Sequence, residues 1–276
     1  MSDVLVTGGT GKTGRRVAAQ LLRAGQTVRV ATRRPHAAGQ VAFTWEDPTT
    51  HDDAFRGVGA VYLVAPTDRT DHADVMIPAI DRAVALGVQR FVLLSASSLE
   101  AGGPMMGAIH AYLRDTAAQW CVLRPSWFMQ NFSEQQHLAT IRDEGAIYTA
   151  TGTGRVPFID ADDIAASAVA ALIAPEAPNT DFILTGPEAL SYSDIADRLS
   201  AVVGSAIRHV NMEVGALVQR LEALGMERAY AEGLAAMDIQ IAGGAEDRTT
   251  GGVEALTGVQ PRTFEVFAAA VAGVWA

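Results

Sequence analysis

Glycines at positions 8, 11 and 14 form the clearest chemical motif of the chain. They belong to residues 7–14 (TGGTGKTG), which directly follow a short apolar run. In this spacing the first glycine permits a tight turn, the second lets the backbone approach a pyrophosphate, and the third allows close packing of a helix. The N-terminus of that helix offers unpaired N–H groups to phosphate oxygens. The motif therefore predicts a dinucleotide site, whose members are Gly8, Thr10, Gly11, Lys12, Thr13 and Gly14.

Two other interpretations of this loop are weaker. The tripeptide Gly11-Lys12-Thr13 looks like the end of a nucleoside-triphosphate loop, but that motif needs a glycine five residues before Gly11, where the chain has Val6. An ordinary tight turn would not need three spaced glycines. The dinucleotide interpretation is favoured.

The end of the second predicted strand indicates which dinucleotide binds. An NAD site usually places Asp or Glu there to accept a hydrogen bond from the ribose 2′-hydroxyl, whereas this chain has Thr32-Arg33-Arg34. Guanidinium groups suit a 2′-phosphate, so NADP(H) is the expected cofactor, with Arg33 the stronger candidate and Arg34 beside it. The alternative is two solvated surface arginines. Residues after the fourth and fifth predicted strands complete the predicted cofactor site, namely Ala65, Pro66 and Ser95.

The chain lacks the usual machinery for reducing a carbonyl group. That reaction needs a group that stabilises and protonates the developing alkoxide, a task that a Tyr-x-x-x-Lys pair performs in short-chain reductases. Here Tyr112 is followed four residues later by Thr116, and Lys12 is the only lysine among 21 basic residues. Three options tolerate this absence: reduction of an iminium carbon, reduction of a quinone or activated double bond, and dinucleotide sensing without catalysis.

Candidate catalytic and substrate-binding residues lie further along the chain. His110 and Tyr112, on a predicted helix over 110–119, are candidates for substrate contact or weak proton donation; the alternatives are a satisfied imidazole at a helix start and a half-buried aromatic ring. Aromatic residues after the sixth strand could hold a flat or cationic substrate by stacking, or could simply pack between lobes. The predicted substrate-binding residues are Trp127, Phe128, Asn131 and Tyr148.

Short apolar runs alternate with helical spacing through the first two thirds of the chain. Strands are predicted at 4–6, 27–31, 41–43, 61–64, 91–94, 121–123 and 182–184, and helices at 77–86, 110–119, 160–173, 191–203 and 214–224. This alternation predicts an α/β fold, a doubly wound parallel Rossmann sheet with a smaller, mostly helical C-terminal substrate lobe. The predicted domains are 1–185, binding NADP(H) and supplying part of the substrate pocket from about residue 126, and 186–276, the substrate or lid lobe.

Composition bounds the partners. The 276 residues are 49% hydrophobic and 19% charged with a net charge of −10, which is typical of a globular protein and argues against a nucleic-acid partner. The sequence shows no membrane-length apolar run and no signal peptide, and a single cysteine, Cys121, fits a reducing compartment. We therefore expect a cytoplasmic monomer or homodimer acting on a small molecule, without a membrane partner. No metal site is expected, since Asp160, Asp162 and Asp163 are explained by a helix start.

Several longer motifs resemble the NmrA-like atypical short-chain dehydrogenases/reductases. They are residues 7–14, LRPSWFMQN at 123–131, RVPFIDADDIA at 155–165, LTGPEALSYSDIA at 184–196 and PRTFEVF at 261–267. FTWEDP at 43–48 and VYLVAP at 61–66 are similar to a subgroup named for ergot alkaloid biosynthesis, which includes agroclavine and festuclavine dehydrogenases.

The resemblance implies an NADP(H)-binding reductase that, in this subgroup, transfers hydride to a cyclic iminium. Family members that reduce quinones carry a histidine in the helix corresponding to His110, while other members place a catalytic lysine in a region where this chain has none. The regulators that gave the family its name bind dinucleotide without turnover. The expected function is therefore reduction of a cyclic imine or iminium; the alternatives are an NADPH-dependent quinone or enone reductase and a redox sensor.

Overall fold

The computed structural model describes residues 3–67 and 69–275, so the outermost ends of the two predicted domains lie outside it. The strands are β1 (Asp3–Val6), β2 (Val28–Thr32), β3 (Gln40–Ala42), β4 (Val58–Val64), β5 (Arg90–Leu94), β6 (Gln119–Pro125), β7 (Ala146–Thr149), β8 (Arg155–Val156), β9 (Thr180–Leu184), β10 (Leu190–Ser191) and β11 (Arg208–Asn211). The helices are α1 (Gly14–Arg23), α2 (His51–Phe55), α3 (His72–Ala85), α4 (Met106–Thr116), α5 (Leu138–Glu144), α6 (Ala161–Ile173), α7 (Tyr192–Val203), α8 (Val214–Ala223), α9 (Arg228–Ala242), α10 (Gly252–Thr257) and α11 (Phe264–Ala270).

A parallel sheet forms the centre of the doubly wound fold. Within the described residues it has seven strands in the order β3-β2-β1-β4-β5-β6-β9, and every neighbouring pair is parallel. The strand order reverses direction between β1 and β4, which is the topological switch point of a doubly wound sheet. The predicted Rossmann fold is confirmed.

Both faces of this sheet are buried. One face presents Val61, Leu63, Phe91 and Leu93 to a core that includes residues of α2, α3 and α4. The alternate positions of the same strands, among them Tyr62 and Val92, are fully buried as well. Since successive side chains of a strand point to opposite faces, helices must cover the sheet on both sides, which explains why these strands are continuous apolar runs.

The chain divides into two compact units that are not contiguous in sequence. The first unit comprises the described residues up to 125 together with 161–184 and 251–259, and the second comprises 126–160, 185–250 and 260–275. The single division at residue 185 that the sequence predicts therefore differs from the observed units. Residues 161–184 supply α6 and the edge strand β9, and Gly252 at the start of α10 lies so close to β9 that an added Cβ would come 2.3 Å from the carbonyl oxygen of Ile183. No change of composition marks these crossings in the sequence.

The second unit is less purely helical than predicted. Besides its helices it contains a parallel pair, β7 with β11, and an antiparallel pair, β8 with β10. Its core is aromatic, and the rings of Phe132, Phe158, Tyr192 and Phe264 contact one another edge to face. Helices α8 and α9 pack through a smaller apolar cluster of their own.

The helix that carries the catalytic candidates begins earlier than predicted. Helix α4 covers Met106–Thr116 rather than 110–119, so His110 lies within the helix and not at its start. Its first turn includes Gly107, where an added Cβ would come 2.3 Å from the carbonyl oxygen of Glu100. Glycine has low helix propensity, and for that reason the sequence pattern places the helix start too late. The predicted helices at 160–173, 191–203 and 214–224 agree with α6, α7 and α8 to within one residue at each end.

Across residues 3–67 and 69–275, the helices include none with the length and apolar character needed to span a membrane.

Candidate functional site

The glycine loop joins β1 to α1 and begins with a left-handed turn. Gly8 has a φ of +58°, and its carbonyl oxygen accepts a hydrogen bond of 2.8 Å from the Gly11 amide. Few side chains tolerate that φ, so glycine is required at position 8. The turn leaves Thr10 and Gly11 exposed at the C-terminal edge of the sheet.

Gly14 allows α1 to start in direct contact with this turn. A Cβ at position 14 would lie 2.2 Å from the Gly8 carbonyl oxygen and 2.8 Å from the Gly9 Cα. Gly9, which the motif does not single out, is equally confined, because its Cβ would come 2.5 Å from a methyl carbon of Val30 in β2. The loop is therefore packed tightly between α1 and the sheet, and Gly9 is confined there in addition to Gly8 and Gly14 of the motif.

Thr7 fixes the start of the loop to β4. Its buried hydroxyl donates to the Tyr62 carbonyl at 2.9 Å and accepts from the Val64 amide at 2.8 Å. These bonds hold the loop beside the half-buried residues Ala65 and Pro66, which follow β4. Sequence reasoning missed Thr7; the available signal was a hydroxyl residue at the end of an otherwise apolar strand.

The N-terminus of α1 is suited to an anion. Thr13, in the N-cap position, makes no capping hydrogen bond with its side chain, and the first turn of the helix contains no acidic residue. The helix dipole and the backbone N–H groups at this end therefore face no competing carboxylate of the first turn.

Arg33 and Arg34 follow β2 and are both exposed. Within the described ranges neither forms an ion pair, in contrast to Arg69, which is bound to Asp71 at 2.6 Å. An exposed guanidinium without a carboxylate partner can contact a phosphate without first breaking an ion pair.

Ser95 follows β5 and has an unusual environment. It is 6% exposed, its amide donates to the Leu123 carbonyl at 2.7 Å, and its buried hydroxyl has no hydrogen-bond partner among the described residues. A buried hydroxyl without a partner is costly, so the position is suited to a polar group of a bound molecule. Since β2, β1, β4 and β5 are parallel neighbours, the structure brings the predicted cofactor residues to one edge of the sheet.

The two catalytic candidates lie in α4 but differ in environment. His110 is 3% exposed, its ring centroid is 5.7 Å from that of Trp120, and its buried Nδ1 has no partner in the part of the chain that the structure describes. Burial is the main cause that lowers the pKa of His110, so its ring is neutral at neutral pH. The hydroxyl of Tyr112 donates to Asp81 on α3, and this bond raises the pKa of Tyr112. A catalytic role for either residue stays a prediction.

Three of the four substrate candidates lie in one segment of the second unit. The half-buried residues Trp127, Phe128 and Asn131 precede or belong to a 3-10 turn at Met129–Asn131. The segment is attached to Ile159 by two backbone hydrogen bonds of 2.9 Å, from Ile159 N to the Trp127 carbonyl and from Met129 N to the Ile159 carbonyl.

Tyr148 is placed elsewhere in the second unit. Its hydroxyl donates to Glu144 at 2.8 Å, and the guanidinium carbon of Arg220 lies 3.7 Å from its ring centroid. The ring borders a cavity of about 30 Å³ whose described lining includes none of the other three candidates. Trp127, Phe128 and Asn131 thus share one segment, and none of them is in the described lining of the cavity that Tyr148 borders.

The same cavity is bordered by a buried carboxylate, Asp238 of α9. One of its oxygens accepts a hydrogen bond of 2.7 Å from the Ala150 amide. Burial raises the pKa of Asp238 to about 6, because removal from water disfavours the charged form more than this single bond stabilises it.

Comparisons with known proteins agree with this architecture. Residues 1–266 match the NmrA-like family. The chain is 43% identical over 277 residues to the uncharacterized oxidoreductase YesF of Bacillus subtilis (strain 168), covering 99% of this chain and 96% of that one. It is 42% identical over 285 residues to an agroclavine dehydrogenase of Claviceps fusiformis, covering 99% and 98%. Among solved structures, an NADPH-dependent quinone oxidoreductase from Escherichia coli in complex with NADPH superposes with a TM-score of 0.83 at 19% identity, covering 99% and 100%, and shares the fold.

Replacing Gly14 by alanine is expected to lower the free energy of unfolding by about 1–3 kcal/mol, the range for an overpacked site. The added methyl group would overlap the Gly8 carbonyl. Gly233→Ala in α9 is the matched control, since its Cβ would meet nothing within 4 Å, and we expect it to be neutral or stabilising. Urea denaturation measures both, and equal stability of Gly14→Ala and the wild type would contradict the packing argument.

Replacing Asp238 by asparagine is expected to stabilise the protein at pH 8 by roughly 1–3 kcal/mol. The raised pKa means that the folded protein contains a costly buried carboxylate above about pH 6. Below the pKa that Asp238 has in the unfolded chain, its carboxyl group is protonated in both the folded and the unfolded protein. The stabilisation by Asn should therefore shrink as the pH falls from 6 to 4. Asn can still accept the bond from the Ala150 amide. Denaturation at pH 4 and pH 8 tests this, with the exposed Asp197→Asn as control; a gain that does not depend on pH would rule out the burial explanation.

Proposed function

The chain belongs to the NmrA-like family, and we propose that it is an NADPH-dependent reductase that delivers hydride to a cyclic imine or iminium. The observation that carries this proposal is the 42% identity, over nearly the full length of both chains, to an enzyme named agroclavine dehydrogenase. The residues that would bind the cofactor and the groups available for proton transfer both support it.

The first unit fits a nicotinamide dinucleotide. The confined loop at Gly8, Gly9 and Gly14 lets backbone N–H groups approach a pyrophosphate, and the uncapped start of α1 favours its charge. Arg33 and Arg34 would contact the 2′-phosphate that distinguishes NADPH from NADH. The remaining contacts would come from Thr10, Gly11, Lys12, Thr13, Ala65, Pro66 and Ser95. When bound, NADPH supplies the hydride.

The candidate residues are poor proton donors, which favours an acceptor that needs no proton at the reacting centre. The single lysine, Lys12, lies in the glycine loop, His110 is buried and neutral, and the hydroxyl of Tyr112 is bound to Asp81. An iminium carbon gains hydride and its nitrogen takes the electron pair of the C=N bond, so a neutral amine forms without an acid. A carbonyl or quinone oxygen needs protons in addition.

The aromatic segment of the second unit suits a flat cationic substrate. Trp127 and Phe128 are half-buried and can stack on such a molecule or attract its charge. Asn131 adds an amide that can donate and accept hydrogen bonds. We propose these three residues as substrate contacts, together with Tyr148 as a more remote one.

Binding of NADPH should be at least tenfold tighter than binding of NADH, and Arg33→Ala should remove that preference. Loss of a charge-assisted bond to the 2′-phosphate costs about 1.5–3 kcal/mol, or roughly 10- to 100-fold in Kd. Titration followed by nicotinamide fluorescence measures this. The control is Arg23→Ala at the opposite end of α1, which should bind both nucleotides as the wild type does. Absence of any nucleotide binding would overturn the proposed function.

With cyclic imines at a pH at which they are protonated to iminium ions, the purified protein should oxidise NADPH, and His110→Ala and Tyr112→Phe should each keep at least one tenth of kcat. A general acid contributes about 10²- to 10⁴-fold, so a loss beyond about 10³-fold in either variant would contradict the iminium mechanism. The assay is NADPH absorbance with cyclic imines, quinones and enones as acceptors. Turnover of quinones or enones alone would select the second type of reductase, and tight binding without oxidation of NADPH by any acceptor would indicate a sensor.

A further inference from the structure

The segment that carries Trp127, Phe128 and Asn131 is held by a buried side-chain bond. Gln130, within the same turn, is 1% exposed, and its amide Nε2 donates to Oδ1 of Asp160 at 2.7 Å. The side chain of Gln130 is therefore removed from solvent, whereas Phe128 and Asn131 on either side of the pair Met129-Gln130 are half-buried. Because Gln130 stands between Phe128 and Asn131 in the chain, its anchoring fixes the direction in which those side chains leave the turn.

Asp160 has a second partner from the end of the chain. Its other carboxylate oxygen, Oδ2, accepts from Nη1 of Arg262 at 3.2 Å, while the side chain of Asp160 is only 5% exposed. A buried carboxylate is tolerated when both oxygens are hydrogen-bonded and a positive charge is near. Arg262 thus holds the carboxyl group whose other oxygen accepts from Gln130.

The C-terminal segment also reaches the turn from another direction. Nε1 of Trp275 donates to the carbonyl of Phe132, one residue after the turn, at 2.8 Å. Helix α11 lies between Arg262 and Trp275, and its residues Phe264 and Phe267 belong to the same aromatic core as Phe132. The C-terminal segment therefore contacts the segment 127–132 directly at Phe132, through Trp275, and indirectly at Gln130, through the bond of Arg262 to Asp160.

We propose that Asp160 is a positioning residue for substrate binding, which sets the orientation of Trp127, Phe128 and Asn131 through its bond to Gln130 and is itself held in place by its ion pair with Arg262. The identity of the substrate in this inference rests on the proposed function, whereas the contacts of Asp160 do not depend on it. Asp160 directly precedes α6, as the helix-start interpretation of the sequence expects, and it also bonds the aromatic turn and the C-terminal segment.

The contact between Gln130 and Asp160 can be tested by exchanging the amide and the carboxylate between the two positions. Gln130→Glu places two carboxylates in contact and should raise KM for the imine at least tenfold while kcat at saturation changes less than threefold. Asp160→Asn in the same chain restores a donor and an acceptor across the contact. The double variant Gln130→Glu/Asp160→Asn should therefore recover KM to within about threefold of the wild type. The Kd for NADPH should be unchanged in all variants, because the residues that would bind it lie in the other unit.

A second readout does not depend on turnover. In protein labelled with 5-fluorotryptophan, the ¹⁹F resonance of Trp127, assigned with Trp127→Phe, should shift in Gln130→Glu and return in the double variant. The resonances of Trp45 and Trp120, which lie in the first unit, should stay in place and show that the variant is folded.

The outcomes separate the two proposals. If no imine is reduced but the Trp127 resonance shifts and recovers as described, the proposed function fails and the positioning role stands. An unchanged KM together with an unchanged Trp127 resonance in Gln130→Glu would overturn the positioning role. Equal loss in the single and the double variant would also overturn it, since the effect would then not depend on the contact between the two side chains.

Discussion

The contact between Gly14 and the Gly8 carbonyl is the constraint on which the cofactor edge depends. It brings the first turn of α1 against a left-handed turn, and Gly9 is in turn confined by Val30 of β2. Thr7 then ties the same loop to β4 by two hydrogen bonds. The ends of β1, β2 and β4 are thereby set relative to one another by contacts within the chain itself. A site arranged in this way binds at a lower entropic cost than a loop that must be ordered first.

The proposed reaction is limited by the supply of protons from side chains more than by the supply of hydride from NADPH. Burial keeps His110 neutral, Asp81 binds the hydroxyl of Tyr112, and the glycine loop contains the only lysine. A reductase with no available proton donor is expected to act on substrates that accept hydride without needing a proton from the enzyme. Electron-poor centres that already carry a positive charge satisfy that condition, and half-buried aromatic side chains are suitable surfaces for them.

The sequence predicts the elements that have a strong apolar periodicity and the turns that need glycine at fixed spacing. All seven predicted strands of the sheet are present because buried parallel strands are apolar on both faces, and three glycines of the loop are recognisable from their spacing. The start of α4 was predicted too late because Gly107 and the residues before it carry little helical signal. The confinement of Gly9 by Val30 and the bond between Gln130 and Asp160 depend on partners far away in the chain, so no local pattern in one sequence encodes them. The interleaving of the two units is invisible for the same reason.

This interleaving has a consequence for synthesis on the ribosome. After β6 is made, the chain builds residues 126–160 of the second unit before it returns with α6 and β9, and it returns again with α10. Until β9 emerges, β6 presents an unpaired edge, which is the feature of a nascent sheet most open to pairing with another chain. The sheet of the first unit therefore cannot be completed before residues 126–160 of the second unit have been made. That edge stays open while residues 126–179 are translated, and the first unit receives its last helix only when α10 is made.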